Sequence, residues 1–122
     1  MKTYVYVAGP YSHPDPVLNV RAAMDAAEIL WAHGFVPFVP HLSMFSHLVH
    51  PQPYETWMER DAEWVRKCDV VLRLPGASSG ADQEVEQAMI LGITVYSSIG
   101  ELISAKAYDD AQQQSEPMEA KT

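Results

Sequence analysis

Cysteine is almost missing from this 122-residue chain: Cys68 stands alone, so no internal disulfide can form. Basic residues are scarce as well, with eight Lys and Arg against sixteen Asp and Glu and a net charge of −8. The electrostatic footprint that holds a phosphate backbone is therefore missing, and duplex nucleic acid is excluded as the expected partner. No apolar run approaches the ~18 residues that would cross a bilayer, because Gly, Pro, His or charge interrupts each candidate. The amino terminus offers one Lys and a short apolar stretch stopping at Pro10, too brief for a signal peptide. A soluble, cytoplasmic protein with no membrane partner is the expectation. What is present is 48% hydrophobic and 20% charged residues, the profile of one globular domain with a real core.

Short β-branched and aromatic runs alternate with helical periods. Thr3 to Ala8 reads as a strand stopped by Gly9-Pro10. Asp15 can then cap a helix with Pro16 in its first position, and Val17, Val20, Met24, Ala27 and Trp31 recur at three- and four-residue steps as its predicted buried stripe. Gly34 ends it. Phe35 to Val39 is a second strand, and Pro37, which cannot donate a ladder hydrogen bond, argues for an edge position. Pro40 to Pro53 holds three Pro and three His without a period and is predicted to be a long loop of the kind that covers sites. A helix over Tyr54 to Lys67, a strand over Asp69 to Leu74, a helix over Ala81 to Leu91 stopped by Gly92, a strand over Ile93 to Ser97 and a last helix from Ile99 to about Ala107 follow. Residues 108–122 read as a solvated tail. This order predicts a three-layer, doubly wound α/β fold of the flavodoxin or Rossmann kind, with four to five parallel strands and one domain over residues 1–107. Ligands in such folds sit outside the carboxyl ends of the strands, which points to the loops Gly9–Asp15 and Pro75–Gly80.

The second loop, Pro75-Gly-Ala-Ser-Ser-Gly80, leads into a helix N-terminus that suits a phosphate or a sugar hydroxyl. It matches neither a P-loop nor a dinucleotide fingerprint, and an ordinary strand-to-helix turn with a Ser cap explains it equally. Glu84 shares a helix face with Ala81, Ala88 and Leu91, the inward side, whereas Asp82 and Glu86 point away. Placed in the first turn, it is expected to be ionised, as a nucleophile or electrostatic stabiliser requires; the plainer alternative is an acid that only complements the dipole. Asp61 likewise interrupts the stripe Trp57, Met58, Val65, Cys68 and needs a partner or a role. A continuous helix to Lys67 is expected to leave Asp61 below the sheet's carboxyl edge, so a site role predicts a late start or a bend. Tyr6, near the end of the first strand, can hydrogen-bond a neighbouring carboxylate, and Tyr4 shares its face; core packing also accounts for both. Tyr11, Ser12 and His13 follow in a loop placed to touch a base or phosphate. His41, His47 and His50 match no helical zinc spacing, and no metal site is expected; imidazoles also serve as loop hydrogen-bond partners or stacking surfaces. Trp31, Trp57 and Trp64 read as core or subunit interface.

Tyr6-Val-Ala-Gly9-Pro-Tyr11, Asp61 eight residues before the strand Asp69–Leu74, and Ser79-Gly-Ala-Asp-Gln-Glu84-Val-Glu-Gln-Ala88 together resemble the nucleoside 2-deoxyribosyltransferase superfamily, which includes deoxynucleoside 5′-monophosphate N-glycosidases. The resemblance spans about residues 3 to 97. It implies Glu84 as nucleophile, Tyr6 orienting it and Asp61 assisting at the base or sugar. Gly9, Tyr11, Ser78, Ser79 and Gly80 would line the substrate pocket. The implied reaction is cleavage or transfer of the N-glycosidic bond of a nucleoside or nucleoside monophosphate, without metal or redox cofactor, in a homodimer or larger homo-oligomer. The pattern departs where glycines often flank the nucleophile: Asp82 and Glu86 stand there. An alternative reading is accordingly a non-catalytic nucleotide-binding module of the same fold.

Overall fold

The computed structural model describes residues 2–114. Four strands, β1 (Thr3–Ala8), β2 (Phe35–Phe38), β3 (Val70–Arg73) and β4 (Thr94–Tyr96), form one sheet in the order β2-β1-β3-β4. Every pairing is parallel, with Tyr6 beside Phe38 on one flank and Val71 on the other. β2 is an edge strand, the position that Pro37 tolerates.

Among the described residues, α1 (Pro16–Ala32), α2 (Met44–Val49), α3 (Tyr54–Lys67) and α4 (Ser79–Ile90) lie in the connections between strands, and α5 (Ile99–Gln114) follows β4. The two-residue alternation of β1 divides the core. Val5 and Val7 pack with Leu72 against Ala23, Ala26 and Leu30 of α1 and Leu102 of α5. Tyr6 and Ala8 pack with Val71 against Val65 of α3 and Ala81 and Ala88 of α4. Helices therefore cover both faces, and the fold is a three-layer α/β sandwich.

Several local expectations change. The buried face of α1 is Ala23, Ala26 and Leu30, whereas Val17, Met24 and Trp31 are exposed. This helix is apolar around most of its circumference, so spacing alone does not select a face; small alanines let it approach the sheet closely. Tyr4 is half exposed although Tyr6, on the same side of the strand, is fully buried, because Tyr4 lies nearer the sheet's amino edge. The segment Pro40–Pro53 is not a plain loop: a 3₁₀ turn (Pro40–Ser43) runs into α2. α4 begins at Ser79, two residues earlier than predicted, with the Ser78 hydroxyl accepting from the Ala81 N–H at 3.1 Å. α5 continues through Tyr108–Gln114, part of the predicted tail, and residues 115–122 lie outside the described residues.

Candidate active site

In the strand order β2-β1-β3-β4 the chain departs to one side of β1 and then to the other, which opens a crevice beyond the carboxyl ends of β1 and β3. A cavity of about 710 Å³ lies there, a volume typical of small-molecule sites. It is lined by Gly9 after β1, by Ala77–Gly80 after β3, and by residues of α3 and of the Pro40–Leu48 segment. The two turns touch. Gly76 has φ +114°, and a Cβ there would come within 2.7 Å of Pro10 Cγ, so glycine is required both by conformation and by contact. Gly80 lets the Tyr54 hydroxyl of α3 approach the first turn of α4; a Cβ would stand 3.0 Å from it.

Glu84 is 7% exposed and its carboxylate reaches the cavity. The buried Tyr6 hydroxyl donates to its Oε2. Ser78 is the N-cap, which puts Glu84 in the second turn rather than the first, and the helix dipole acts weakly there. Burial therefore dominates: it pushes the Glu84 carboxyl up to about 7, assisted by the negative field of Asp61, while the Tyr6 hydrogen bond and Arg73 pull the other way. The expectation of a fully ionised Glu84 is corrected accordingly. Burial and the two neighbouring carboxylates push the Tyr6 phenol well above its ordinary value, so it keeps the proton that it donates to Glu84.

Asp61 also lines the cavity, and burial pushes its carboxyl up to about 6. α3 is continuous from Tyr54 to Lys67, with no late start. Six residues separate Asp61 from Lys67, about 9 Å of helix. β3 travels about 10 Å from Val70 to Arg73. Asp61 thus stands level with the sheet's carboxyl edge, and the first turns of α3 overhang it because the helix is longer than the strand beside it.

The structure brings Gly9, Tyr11, Ser78, Ser79 and Gly80 to the same cavity as Glu84 and Asp61. Tyr6 stands behind Glu84 and does not line it. Ser12 and His13 join the wall. Asp82 and Glu86 are exposed, and Asp82 pairs with Arg73 at 3.0 Å. Of the three histidines, His41 is buried and His47 and His50 are exposed, and His41 and His47 line the cavity. His41 is buried, its Nε2 donates to the Pro10 carbonyl at 3.0 Å, and its Nδ1 has no partner. His47 Nδ1 accepts from the Trp57 indole N–H at 2.8 Å and from the Gln52 N–H at 3.2 Å. That leaves the ring proton on Nε2. Among the described residues no group of His, Cys, Asp and Glu is arranged to hold a metal ion.

Trp57, Met58, Tyr54 and Gln52 also line the cavity and were missed as site residues. Trp57, expected in a core or subunit interface, faces the site instead, with Arg60 over its ring at 4.8 Å. Trp31 and Trp64 are exposed, Trp64 stacking on Phe38. The stripe that singled out Asp61 already contained Trp57 and Met58, so the overhang of α3 was the unread signal.

This fold is similar to that of two solved deoxyribosyltransferases. A 2-desoxiribosyltransferase from Leishmania mexicana superposes with a TM-score of 0.59 at 19% identity, covering 76% of this chain and 61% of that one. The 2-deoxyribosyltransferase of Bacillus psychrosaccharolyticus gives 0.57 at 19% identity, covering 76% and 69%. The chain thus spans about three fifths of the length of the first of these enzymes. No curated protein sequence matches it. By sequence the chain belongs to the family DUF7768, a domain of unknown function, whose model matches residues 3–98. No helix among the described residues is long and apolar enough to cross a membrane.

Proposed function

We propose that the protein cleaves or transfers the N-glycosidic bond of a nucleoside or nucleoside monophosphate, with Glu84 as nucleophile. The observation that carries this reading is a buried glutamate presented to a nucleoside-sized cavity, held by a tyrosine hydroxyl, with a second carboxyl raised toward neutrality in the same wall. The fold shared with deoxyribosyltransferases supports it.

The chemistry needs Glu84 ionised and Asp61 protonated, the minority arrangement of two carboxyls that titrate near 7 and 6. A Glu84 carboxylate oxygen bonds to the anomeric carbon as the C1′–N bond breaks, through a transition state with oxocarbenium character that the negative charge stabilises. The bonding pair leaves with the base, and Asp61, protonated, supplies the proton that makes the base a better leaving group. The resulting glycosyl ester is opened by water, whose proton returns to Asp61, giving a free sugar; attack by the nitrogen of a second base gives transfer instead. Tyr6 is a positioning residue: its hydroxyl fixes one carboxylate oxygen of Glu84 and leaves the other for the sugar.

The test is incubation of the protein with 2′-deoxynucleosides, ribonucleosides and their 5′-monophosphates, with released base read by chromatography and Glu84→Ala as control. Base release by the wild type and its loss in the variant is the expected result. No release from any substrate, or equal release by Glu84→Ala, overturns the proposal.

A further inference from the structure

We infer that His47 is a positioning residue: its Nδ1 clamps the Pro40–Pro53 segment to α3 and so fixes one wall of the cavity. The inference goes beyond the reaction proposed above, since the clamp exists whatever the cavity turns over. Two observations carry it: the exposure of the helix that is held, and the pair of donors that meet on one imidazole nitrogen.

The segment supplies Pro40, His41, Ser43, Met44, His47 and Leu48 to the cavity. Its first turn is anchored, because His41 is buried and bonded to the Pro10 carbonyl at 3.0 Å. Past that point little packing holds it. No residue of α2 is buried, and Phe45, Leu48 and Val49 are 61%, 73% and 72% exposed. Apolar burial therefore contributes little here, and a helix of six residues does not stand by itself in water. Among the described residues, the one hydrogen bond between α2 and α3 is that of His47 with Trp57.

His47 Nδ1 accepts the Trp57 indole N–H at 2.8 Å and the Gln52 backbone N–H at 3.2 Å, so one atom gathers α2, the end of the segment and α3. Both partners are donors only, so both bonds need an acceptor at this place. A side chain at position 47 without one cannot make them. The indole is fixed in turn: the imidazole meets it edge-on with ring centroids 5.8 Å apart, and the Arg60 guanidinium lies 4.8 Å from its centroid. Trp57 is thus a fixed post on the helix that also carries Asp61, and His47 ties the weakly packed wall to it. A wall held in place before a ligand arrives spares the ligand the entropy of ordering it. The clamp therefore acts on KM more than on kcat.

The test follows exchange of the indole N–H protons with water by NMR, on the full chain, in the wild type, His47→Leu and His47→Asn. Trp31 and Trp64, both exposed, serve as references and as a check of the fold in the same spectra. The Trp57 proton is expected to exchange about 3- to 10-fold more slowly than that of Trp64, the protection that one net hydrogen bond gives. His47→Leu should abolish the difference, and His47→Asn, whose Oδ1 takes the place of Nδ1, should keep it. KM for a nucleoside that releases its base should rise by a similar factor in His47→Leu, with kcat changed less and the Asn variant near the wild type. Equal exchange of Trp57 and Trp64 in the wild type overturns the inference, as does protection that survives His47→Leu, an Asn variant no better than Leu, or a fall in kcat at unchanged KM. If no nucleoside releases its base, the reaction proposed above fails, and the exchange measurement decides the clamp alone.

Discussion

Replacing Glu84 by Gln should stabilise the fold at alkaline pH while abolishing turnover. An unfolded glutamate ionises near 4.5, whereas burial moves the folded group up to about 7. Between these values the unfolded chain sheds its proton and the native chain keeps it, so stability is greatest below about 4.5 and is lost as pH rises toward and through 7. A shift of about 2.5 units at ~1.4 kcal/mol each makes the cost of holding the carboxylate about 3 kcal/mol at pH 8. Gln keeps an amide oxygen to accept from Tyr6 and carries no charge. Thermal melts of both proteins from pH 4 to 8 should therefore nearly coincide near pH 4 and separate to about 10 °C at pH 8, with the variant higher. A difference independent of pH, or a variant that melts lower at pH 8 than the wild type, would refute the argument that burial dominates at this carboxyl.

Four further expectations follow from the same geometry. Base release should show a bell-shaped pH profile with limbs near 6 and 7, since it needs Glu84 ionised and Asp61 protonated; at the optimum about 6% of the enzyme holds both states at once if they titrate independently, and a flat profile from pH 5 to 8 contradicts the assignment. Tyr6→Phe removes the hydrogen bond that lowers the Glu84 pKa, so the limb near 7, on which activity falls with pH, should move up by about one unit and the maximum should drop about sevenfold, measured as kcat against pH. Asp61→Asn should lower kcat about 100-fold on natural nucleosides, but much less on a deoxyriboside whose leaving group needs no proton. Gly76→Ala should cost about 2 kcal/mol in urea unfolding, since it places a side chain at φ +114° and against Pro10.

Much of this layout was legible because one-dimensional rules decided it. Pro37 pointed to the sheet edge, Asp15 and Pro16 to the start of α1, and the carboxylates at 61 and 84 were conspicuous on otherwise apolar stripes. What could not be read depended on lengths and distances between elements. α1 has two apolar faces, and only the approach to the sheet chooses Ala23 and Ala26 over Val17 and Met24. Trp57 faces the cavity because α3 is longer than β3, a comparison no single helix contains. The proline-rich segment after β2 carries helices whose residues reach the site, although no period announces them. The ionisation of Glu84 depended on where α4 begins: two residues moved it from the first turn to the second and let burial outweigh the dipole.

The nucleophile is tested most directly by trapping it. A 2′-fluoro-2′-deoxyarabinosyl nucleoside slows hydrolysis of a glycosyl ester by withdrawing electrons from the oxocarbenium-like state. Mass spectrometry of the incubated protein should show one added fluorosugar, mapped after proteolysis to the peptide that carries Glu84 and missing from Glu84→Gln. Base release with the adduct on another residue would contradict the assignment, as would release with no adduct under conditions that slow its breakdown.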